Sequence, residues 1–201
     1  MAALMAALMA ALVAVLLAGP AAAEPLSYEL DPAHSWLHFE VLHFGTSTTR
    51  GRIGPFTGRV LIDRAAGRGE VSLAVRTATV DTGIGFFNAR LRQDDLLASE
   101  AFPEAYFVST RFRFEDGRVA ELRGEFTWRG VGQPLTLKAL RFACRHEGMG
   151  AERLEVCGGD FEGEVLRSDF GATFGLPLVA NRVRLLVQVE GRRPAPPAPG
   201  P

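Results

Sequence analysis

The sequence predicts an all-β protein built as an eight-stranded antiparallel barrel, and two observations predict this fold. Apolar and polar residues alternate with a period of two in about eight segments, which is typical of strands with one buried face. Short turn sequences such as RAAGRG, EDG and RGVGQP join several of these segments, and short turns favour antiparallel neighbours. Eight such strands close most economically into a barrel with room for side chains or one ligand, with a β-sandwich as the alternative.

The first predicted strand lies in HSWLHFEVLHFG, residues 34–45. Alternation puts Leu37, Phe39 and Val41 on one face, and the next residue on that face is His43. The later strands are predicted in FTGRVLIDR, EVSLAVRTATV, YFVSTRFRF, RVAELRGEFTW, LTLKALRFAC, DFEGEVLR and NRVRLLVQVE.

One long segment without this alternation, 81–103, interrupts the strands. Leu91, Asp94, Asp95 and Leu96 in this segment suggest a short helix flanked by glycines, which we expect to cap an open end of the barrel. A second irregular stretch, SDFGATFGLPLVA, also carries large apolar residues. Such residues are unusual in plain surface loops, so they either fill the core or line the mouth of a cavity.

Both ends of the chain are expected to lie outside the barrel domain. Residues 1–23 contain no charged residue and end in small residues before Glu24, which is typical of a cleaved secretory signal peptide. An uncleaved membrane anchor is the alternative, because about 18 apolar residues are near the lower limit for crossing a bilayer. Residues 192–201 are Pro-rich and are predicted to form a disordered tail. The domain is therefore assigned to residues 24–191, without a stable membrane span after cleavage.

Composition and motifs argue against several function classes. The formal net charge is −1, whereas a nucleic-acid partner requires a basic face. The sequence has no G-x-S-x-G nucleophile motif, and TGIGFFN lacks the third glycine of a dinucleotide loop. His34 and His38 would lie roughly 13 Å apart in a strand, too far to share a metal ion. We predict no catalytic residue, no metal and no cofactor other than a bound lipid.

The two cysteines, Cys144 and Cys157, both lie in the exported part of the chain. In an oxidising compartment a disulfide is the expected state, and a loop of this length gives a stabilisation of roughly 3 kcal/mol. A zinc site is the weaker alternative, because two sulfurs with His146 nearby do not complete a zinc shell.

His43 has two interpretations. A histidine at the end of an apolar face can be a structural residue that hydrogen-bonds to a neighbouring strand or loop. It can also be the polar group at the end of an apolar tunnel that orients the head of a mostly apolar ligand.

Several motifs in register resemble the YceI-like family, the polyisoprenoid-binding periplasmic proteins. These motifs are YELDPAHSWLHFEVLHFG, GRIGPFTGRVLID, TATVDTGIGFFNARLRQDDLLASEAFPEAYFVSTRF, GEFTWRGVGQPLTL and RSDFG. The resemblance covers residues 28–190 and implies an extended, lipocalin-like barrel in the periplasm, whose tunnel holds a long-chain isoprenoid, a quinone-like lipid or another amphiphile. Positions that match the family pattern are His34, His43, Asp81, Thr82, Leu91, Arg92, Phe170 and Gly171.

The sequence departs from that pattern near the predicted cap. The family often has an aspartate and a histidine near Asn88 and Arg90, and Phe86 and Phe87 replace charged residues that are common there. The cap is therefore more apolar in this chain, which leaves the head group of the ligand open.

We expect a non-enzymatic carrier or sensor of such a lipid in the periplasm. A filled barrel that serves as an envelope-stress or protein-interaction module is the alternative, an enzyme acting on the lipid is less favoured, and a homodimer stays open. Affinity is expected to come from apolar side chains, and orientation from His43 and Arg90. The predicted ligand-binding residues are Leu37, Phe39, Val41, His43, Ile84, Phe86, Phe87, Arg90, Leu91, Phe107, Phe126, Phe170 and Phe174.

Overall fold

The computed structural model describes residues 25–149 and 153–194, so the predicted signal peptide lies outside the described residues. The strands are β1 (Leu26–Leu30), β2 (Trp36–His43), β3 (Ser47–Ile53), β4 (Thr57–Asp63), β5 (Arg68–Arg76), β6 (Glu104–Glu115), β7 (Arg118–Trp128), β8 (Val131–Glu147), β9 (Leu154–Leu166) and β10 (Val179–Pro194). The helix is α1 (Gly85–Leu91), and 3-10 turns lie at Thr77–Thr79 and Arg167–Phe170. Among the described residues, no helix is long and apolar enough to cross a membrane.

Eight strands close into an antiparallel barrel, which confirms the predicted fold. Their order is β1-β4-β5-β6-β7-β8-β9-β10, and β10 returns to β1 through the pairs Glu29 with Arg192 and Leu30 with Gly191. β2 and β3 form a hairpin that pairs with the first half of β10, where Val41 lies opposite Val183.

Two short strands were missing from the sequence-based prediction. β1, LSYEL, does alternate, with Leu26, Tyr28 and Leu30 on one face, but it is only five residues long and was overlooked. β3, STTRGRI, carries a single large apolar residue, Ile53, so it lacks the pattern that identifies a half-buried strand.

The inward side chains of the barrel form one continuous apolar core. In β5, Val71, Leu73 and Val75 are buried and the residues between them point outward, as the alternation predicts. Phe107 of β6 lies directly opposite Phe126 of β7, and both are buried.

A β-bulge divides β6 into two halves. Val108 pairs with Glu125, but the next pair is Arg111 with Arg123, so β6 has one extra residue at this point. The Ser109 hydroxyl holds the bulge, because it donates to the Arg123 carbonyl at 2.7 Å and accepts from the Arg111 N–H at 3.1 Å.

The predicted start of the disordered tail at residue 192 is wrong. β10 continues to Pro194, and Arg192 and Arg193 pair with Val156 and Glu155 of β9. Their guanidinium groups also bind carboxylates, so ion pairing extends the strand where an apolar pattern has ended. Residues 195–201 lie outside the described residues.

The segment before the helix is fixed by hydrogen bonds to β3. The backbone of Asp81 exchanges two hydrogen bonds with Arg52, at 2.8 and 2.9 Å. The side-chain oxygen of Asn88 accepts from the N–H and the hydroxyl of Thr82, both at 2.8 Å, and its amide donates to Asp81 at 3.2 Å. The predicted helix exists, but it lies earlier than expected, so Asp94, Asp95 and Leu96 follow it.

Candidate functional site

The barrel interior contains an apolar cavity beneath α1, called here the outer cavity. β2 contributes Leu37, Phe39 and Val41, and β10 contributes Val183 and Leu185. Leu91 of the helix and Leu96 and Leu97 of the loop that follows cover it. Its empty volume, including the entrance, is about 870 Å³.

Two further apolar cavities follow the outer one along the barrel. The middle cavity is smaller than the outer one and shares Leu37, Val75 and Phe126 with it. The deep cavity shares Phe107 and Leu137 with the middle one. Because neighbouring cavities share walls, the three lie in a row along the barrel, and this row of apolar cavities is called here the tunnel.

The outer end of the tunnel is covered by the cap, which consists of α1, residues 92–103 and residues 171–178. Arg129, in the turn between β7 and β8, connects its parts. Its guanidinium donates to the carbonyls of Asp94 at 2.6 Å, Leu96 at 2.7 Å and Phe170 at 2.9 Å. One cation thus connects both cap loops to the barrel.

Arg167 organises the second cap loop from inside the protein. It is 4% exposed, lines the outer cavity and donates to the carbonyls of Ala172, Phe174, Val179 and Ala180 at 2.7 to 2.9 Å. Burial lowers the pKa of Arg167, but an arginine stays protonated in proteins. Carbonyl dipoles therefore stabilise this buried charge.

Arg90 connects the two halves of the cap. It forms two hydrogen bonds to Asp95, at 2.6 and 2.7 Å, and its guanidinium lies 4.0 Å from the ring centre of Phe174. The hydrogen bond from Arg90 lowers the pKa of Asp95. Around this contact the cap exposes large apolar side chains, namely Ile84, Phe86, Phe87, Phe174 and Leu178.

The opposite end of the tunnel is closed by a polar cluster, called here the plug, which consists of Tyr28, Arg64, Cys144, Glu155, Cys157 and Arg193. Glu155 accepts hydrogen bonds from Tyr28 at 3.0 Å, from Arg64 at 2.9 Å and from Arg193 at 2.7 Å. Cys144 and Cys157 are direct neighbours on β8 and β9 and form a disulfide, as predicted.

Burial and charge shift the two acids of the plug in opposite directions. Burial raises the pKa of Tyr28, so its phenol stays protonated. Burial also acts to raise the pKa of Glu155, but the hydrogen bond and the charge of Arg64, together with Tyr28 and Arg193, outweigh it and lower the pKa. Glu155 therefore stays ionised between two arginines.

The predicted ligand-binding residues fall into two groups. Leu37, Phe39, Val41, Leu91 and Phe126 line the outer cavity, and Phe107 lines the middle and deep ones. The others lie around the cavities rather than among their lining residues: His43, Ile84, Phe86, Phe87, Arg90, Phe170 and Phe174. Ligand contact by either group stays a prediction.

Phe170 and His43 illustrate why alternation alone misplaces residues near the cap. Phe170 is 2% exposed and packs behind the wall, with its ring centre 5.5 Å from Phe126 and 5.3 Å from Trp128. His43 ends β2, and its ring contacts the edge of Phe44 at 4.5 Å between centres. Its carbonyl accepts hydrogen bonds from Thr46, so its backbone already begins the turn to β3.

Sequence reasoning missed the two arginines that build the cap, Arg129 and Arg167. Arg167 opens the RSDFG motif and is followed by an irregular apolar stretch. An arginine directly before an irregular apolar stretch is the signal that could have indicated a buried cation bound to loop carbonyls.

His34 lies in a polar cluster on the surface. Its Nδ1 is 2.7 Å from Asp31, and Asp31, His34 and Glu190 bring ligand-type atoms within 4.8 Å of one another. Two arginines bind these carboxylates, since Arg192 lies 2.6 Å from Asp31 and Arg145 lies 3.2 Å from Glu190. Ion pairs therefore balance the negative charge of the cluster.

A model of the YceI-like domain matches residues 28–191. The chain belongs to the YceI-like family. Protein YceI of Escherichia coli O157:H7 is 29% identical over 175 residues, which cover 87% of this chain and 90% of that protein.

Solved structures of other proteins share the fold. The crystal structure of Burkholderia cenocepacia BcnA superposes with a TM-score of 0.64 at 21% identity, over 81% of this chain and 99% of that one. A polyisoprenoid-binding domain from Saccharophagus degradans superposes with a TM-score of 0.55 at 17% identity, over 84% of this chain and 98% of that one.

Proposed function

We propose that this YceI-like protein binds a long-chain isoprenoid or quinone-like lipid in the periplasm and carries or senses it without catalysing a reaction. The observation that carries the proposal is the tunnel. Its three cavities are lined by aliphatic and aromatic side chains and share walls from the cap to the plug. Such a shape fits a long apolar chain better than a compact polar metabolite.

The hydrophobic effect supplies the affinity. Burying a chain contributes ~0.8 kcal/mol per methylene, so ten or more buried carbons outweigh the cost of association. The tail would pass Leu37 and Phe126 and reach Phe107 in the middle of the barrel.

The head group is assigned to the capped end, because the ion pairs of the plug close the other end. His43 and Arg90 are the predicted orienting groups there. The exposed side chains of Ile84, Phe86, Phe87 and Phe174 are proposed to contact the tail as it enters. The polyisoprenoid-binding Saccharophagus domain, which has the same fold, supports this choice of ligand.

A hollow barrel is favoured over the filled alternative. Gly163 leaves no gap, because Leu135 and Leu137 occupy the space where its side chain would stand. The empty space lies instead between the aliphatic and aromatic walls of the three cavities, which supports room for an apolar chain.

The test is native mass spectrometry of the protein purified from a periplasmic fraction, followed by solvent extraction and identification of what is released. We expect a stoichiometric lipid with an isoprenoid repeat. The double variant Val41→Trp with Val183→Trp fills the outer cavity from two paired strands of its wall and should lose that lipid.

Leu42→Trp is the matched control, because Leu42 is the next residue of β2, points outward and is 47% exposed. It should keep the lipid. A folded double variant that retains as much lipid as the control contradicts the proposed site, and a wild-type protein that carries no lipid and takes up no added quinone or prenyl lipid contradicts the function.

A further inference from the structure

The Cys144–Cys157 disulfide lies against the guanidinium of Arg64. Nη2 of Arg64 is 2.9 Å from Sγ of Cys144 and 2.8 Å from Sγ of Cys157. The two sulfurs differ in access, because Cys144 is exposed whereas Cys157 is 5% exposed and lines the deep cavity. An incoming reagent from solvent therefore meets Cys144 first.

The groups around the sulfurs carry one positive charge in excess. Arg64, from the turn after β4, and Arg193, from β10, are cations, and Glu155 of β9 supplies one carboxylate. Tyr28 of β1 is neutral, since burial raises its pKa. His146 of β8, opposite Glu155 in the ladder, is exposed and adds no negative charge. A disulfide is neutral and leaves this excess in place, but a thiolate on Cys157 would cancel it.

We propose that Cys144–Cys157 is a thiol–disulfide exchange site for small thiols, in which Cys144 is attacked and Arg64 holds the departing Cys157 thiolate. The inference goes beyond lipid binding and does not depend on it.

The exchange balances as two displacements. The thiolate of a small thiol attacks Sγ of Cys144, a new sulfur–sulfur bond forms, the Cys144–Cys157 bond breaks, and its electron pair stays on Sγ of Cys157. A second small thiolate then attacks the mixed disulfide and releases the oxidised small thiol. Cys144 leaves as a thiolate that takes a proton from water, so two small thiols supply the two electrons.

Arg64 favours the first displacement because a leaving thiol of lower pKa departs faster. A neighbouring guanidinium lowers the pKa of a thiol by stabilising the thiolate. Arg64 touches both reacting sulfurs, so it acts directly on the departing thiolate.

The test is to incubate the oxidised protein with reduced glutathione, quench by alkylation at timed intervals and locate the adducts by mass spectrometry. We expect glutathione on Cys144 and an alkylated thiol on Cys157. Arg64→Gln should slow the first displacement about tenfold. Arg50→Gln, which removes an exposed cation paired with Glu40 on β2, should react at the wild-type rate.

A second variant tests the role of Arg64 without the disulfide. In Cys144→Ser, the remaining Cys157 thiol should be alkylated with a pKa below the usual value of about 8.5, and adding Arg64→Gln should return the pKa toward that value. Circular dichroism should show the same fold in each variant. Three results would overturn the proposal: glutathione bound at Cys157, equal rates with and without Arg64, or a Cys157 thiol that titrates at or above about 8.5 in Cys144→Ser.

Discussion

The two ends of the tunnel are closed by different chemistry. At the plug, Glu155 is 5% exposed and is bound by two arginines and a tyrosine, and a disulfide joins the adjacent strands. At the cap, aromatic side chains face solvent, with Phe86 69% and Phe174 52% exposed. The contact between Arg90 and Phe174 joins α1 to the second cap loop rather than two strands of the barrel.

The two ends are therefore expected to have separate roles, the plug in the stability of the barrel and the cap in access to the tunnel. The plug joins β1, β9 and β10 through buried charges, so its loss should affect the whole barrel. The cap loops are held mainly by hydrogen bonds from Arg129 and Arg167 to carbonyls, so their loss should first affect what enters the tunnel. The following predictions test that separation, from the largest expected effect to the smallest.

Glu155→Gln should destabilise the barrel by about 3 kcal/mol, because it leaves two partly buried guanidinium groups without their carboxylate. Urea unfolding followed by circular dichroism measures the change. Glu164→Gln removes the exposed partner of Arg182 and should cost less than about 1 kcal/mol. Equal losses of unfolding free energy in the two variants would contradict the role of the plug in stability.

Glu155→Gln should also change how the stability of the protein depends on pH. The pKa of Glu155 is lowered on folding, so its ionised form adds stability above its unfolded pKa of about 4.3. That contribution is lost as the pH falls through the lower folded pKa. The stability gap between wild type and Glu155→Gln should therefore narrow below about pH 4, and a gap that widens would assign the stabilisation to another group.

Arg167→Met should cost about 3 kcal/mol, because a buried cation and its hydrogen bonds to four carbonyls are lost. Lipid release, followed by native mass spectrometry, should become faster. Arg182→Met on β10 is exposed and should change neither quantity. A variant as stable as wild type would show that the cap loop does not need its internal cation.

Replacing both cysteines, Cys144→Ala with Cys157→Ala, should lower the unfolding free energy by about 2 to 3 kcal/mol, since a short loop is no longer closed in the unfolded chain. Lipid bound per protein should stay unchanged, because the disulfide lies at the far end from the entrance. Calorimetry and solvent extraction measure the two quantities. Loss of lipid at unchanged stability would reverse the assigned roles of the ends.

Phe174→Ala should change stability by less than about 1 kcal/mol, which is the scale of an exposed cation–π contact. Lipid exchange should nevertheless become a few times faster, as Arg90 loses its contact with the second loop. Leu140→Ala, exposed on β8 away from the cap, should have neither effect. Identical exchange rates in both variants would show that this contact does not limit access.

Alternation predicted eight of the ten described strands and part of the tunnel wall, because every inward position of a barrel favours an apolar side chain. Leu37, Phe39 and Val41 lie in the wall, as the pattern indicates. Near the cap the strands end, and residues with similar side chains lie in different environments. Phe170 lies behind the wall, whereas Phe86 faces solvent. Their positions depend on loop geometry that a two-residue period does not encode.

The partners of charged residues were the other feature that could not be predicted from the sequence. Arg193 stands in the segment predicted as tail, and Arg167 ends the predicted strand DFEGEVLR. Arg193 nevertheless binds a carboxylate of β9, and Arg167 binds backbone carbonyls of the second cap loop and of β10. Such partners come together only when the chain folds. A sequence pattern that treats arginine as a surface residue cannot identify them.

The bulge in β6 shifts the alternation of inward and outward side chains by one residue. If β6 continued in regular alternation without the bulge, the face that carries Phe107 would continue through Arg111 and Arg113, and two cations would enter the deep cavity. With it, Phe112 turns inward and lines that cavity. The bulge next to Ser109 thus decides whether the inner half of the tunnel is apolar or charged, because it accommodates the odd spacing between Ser109 and Phe112 and keeps both side chains on the inner face.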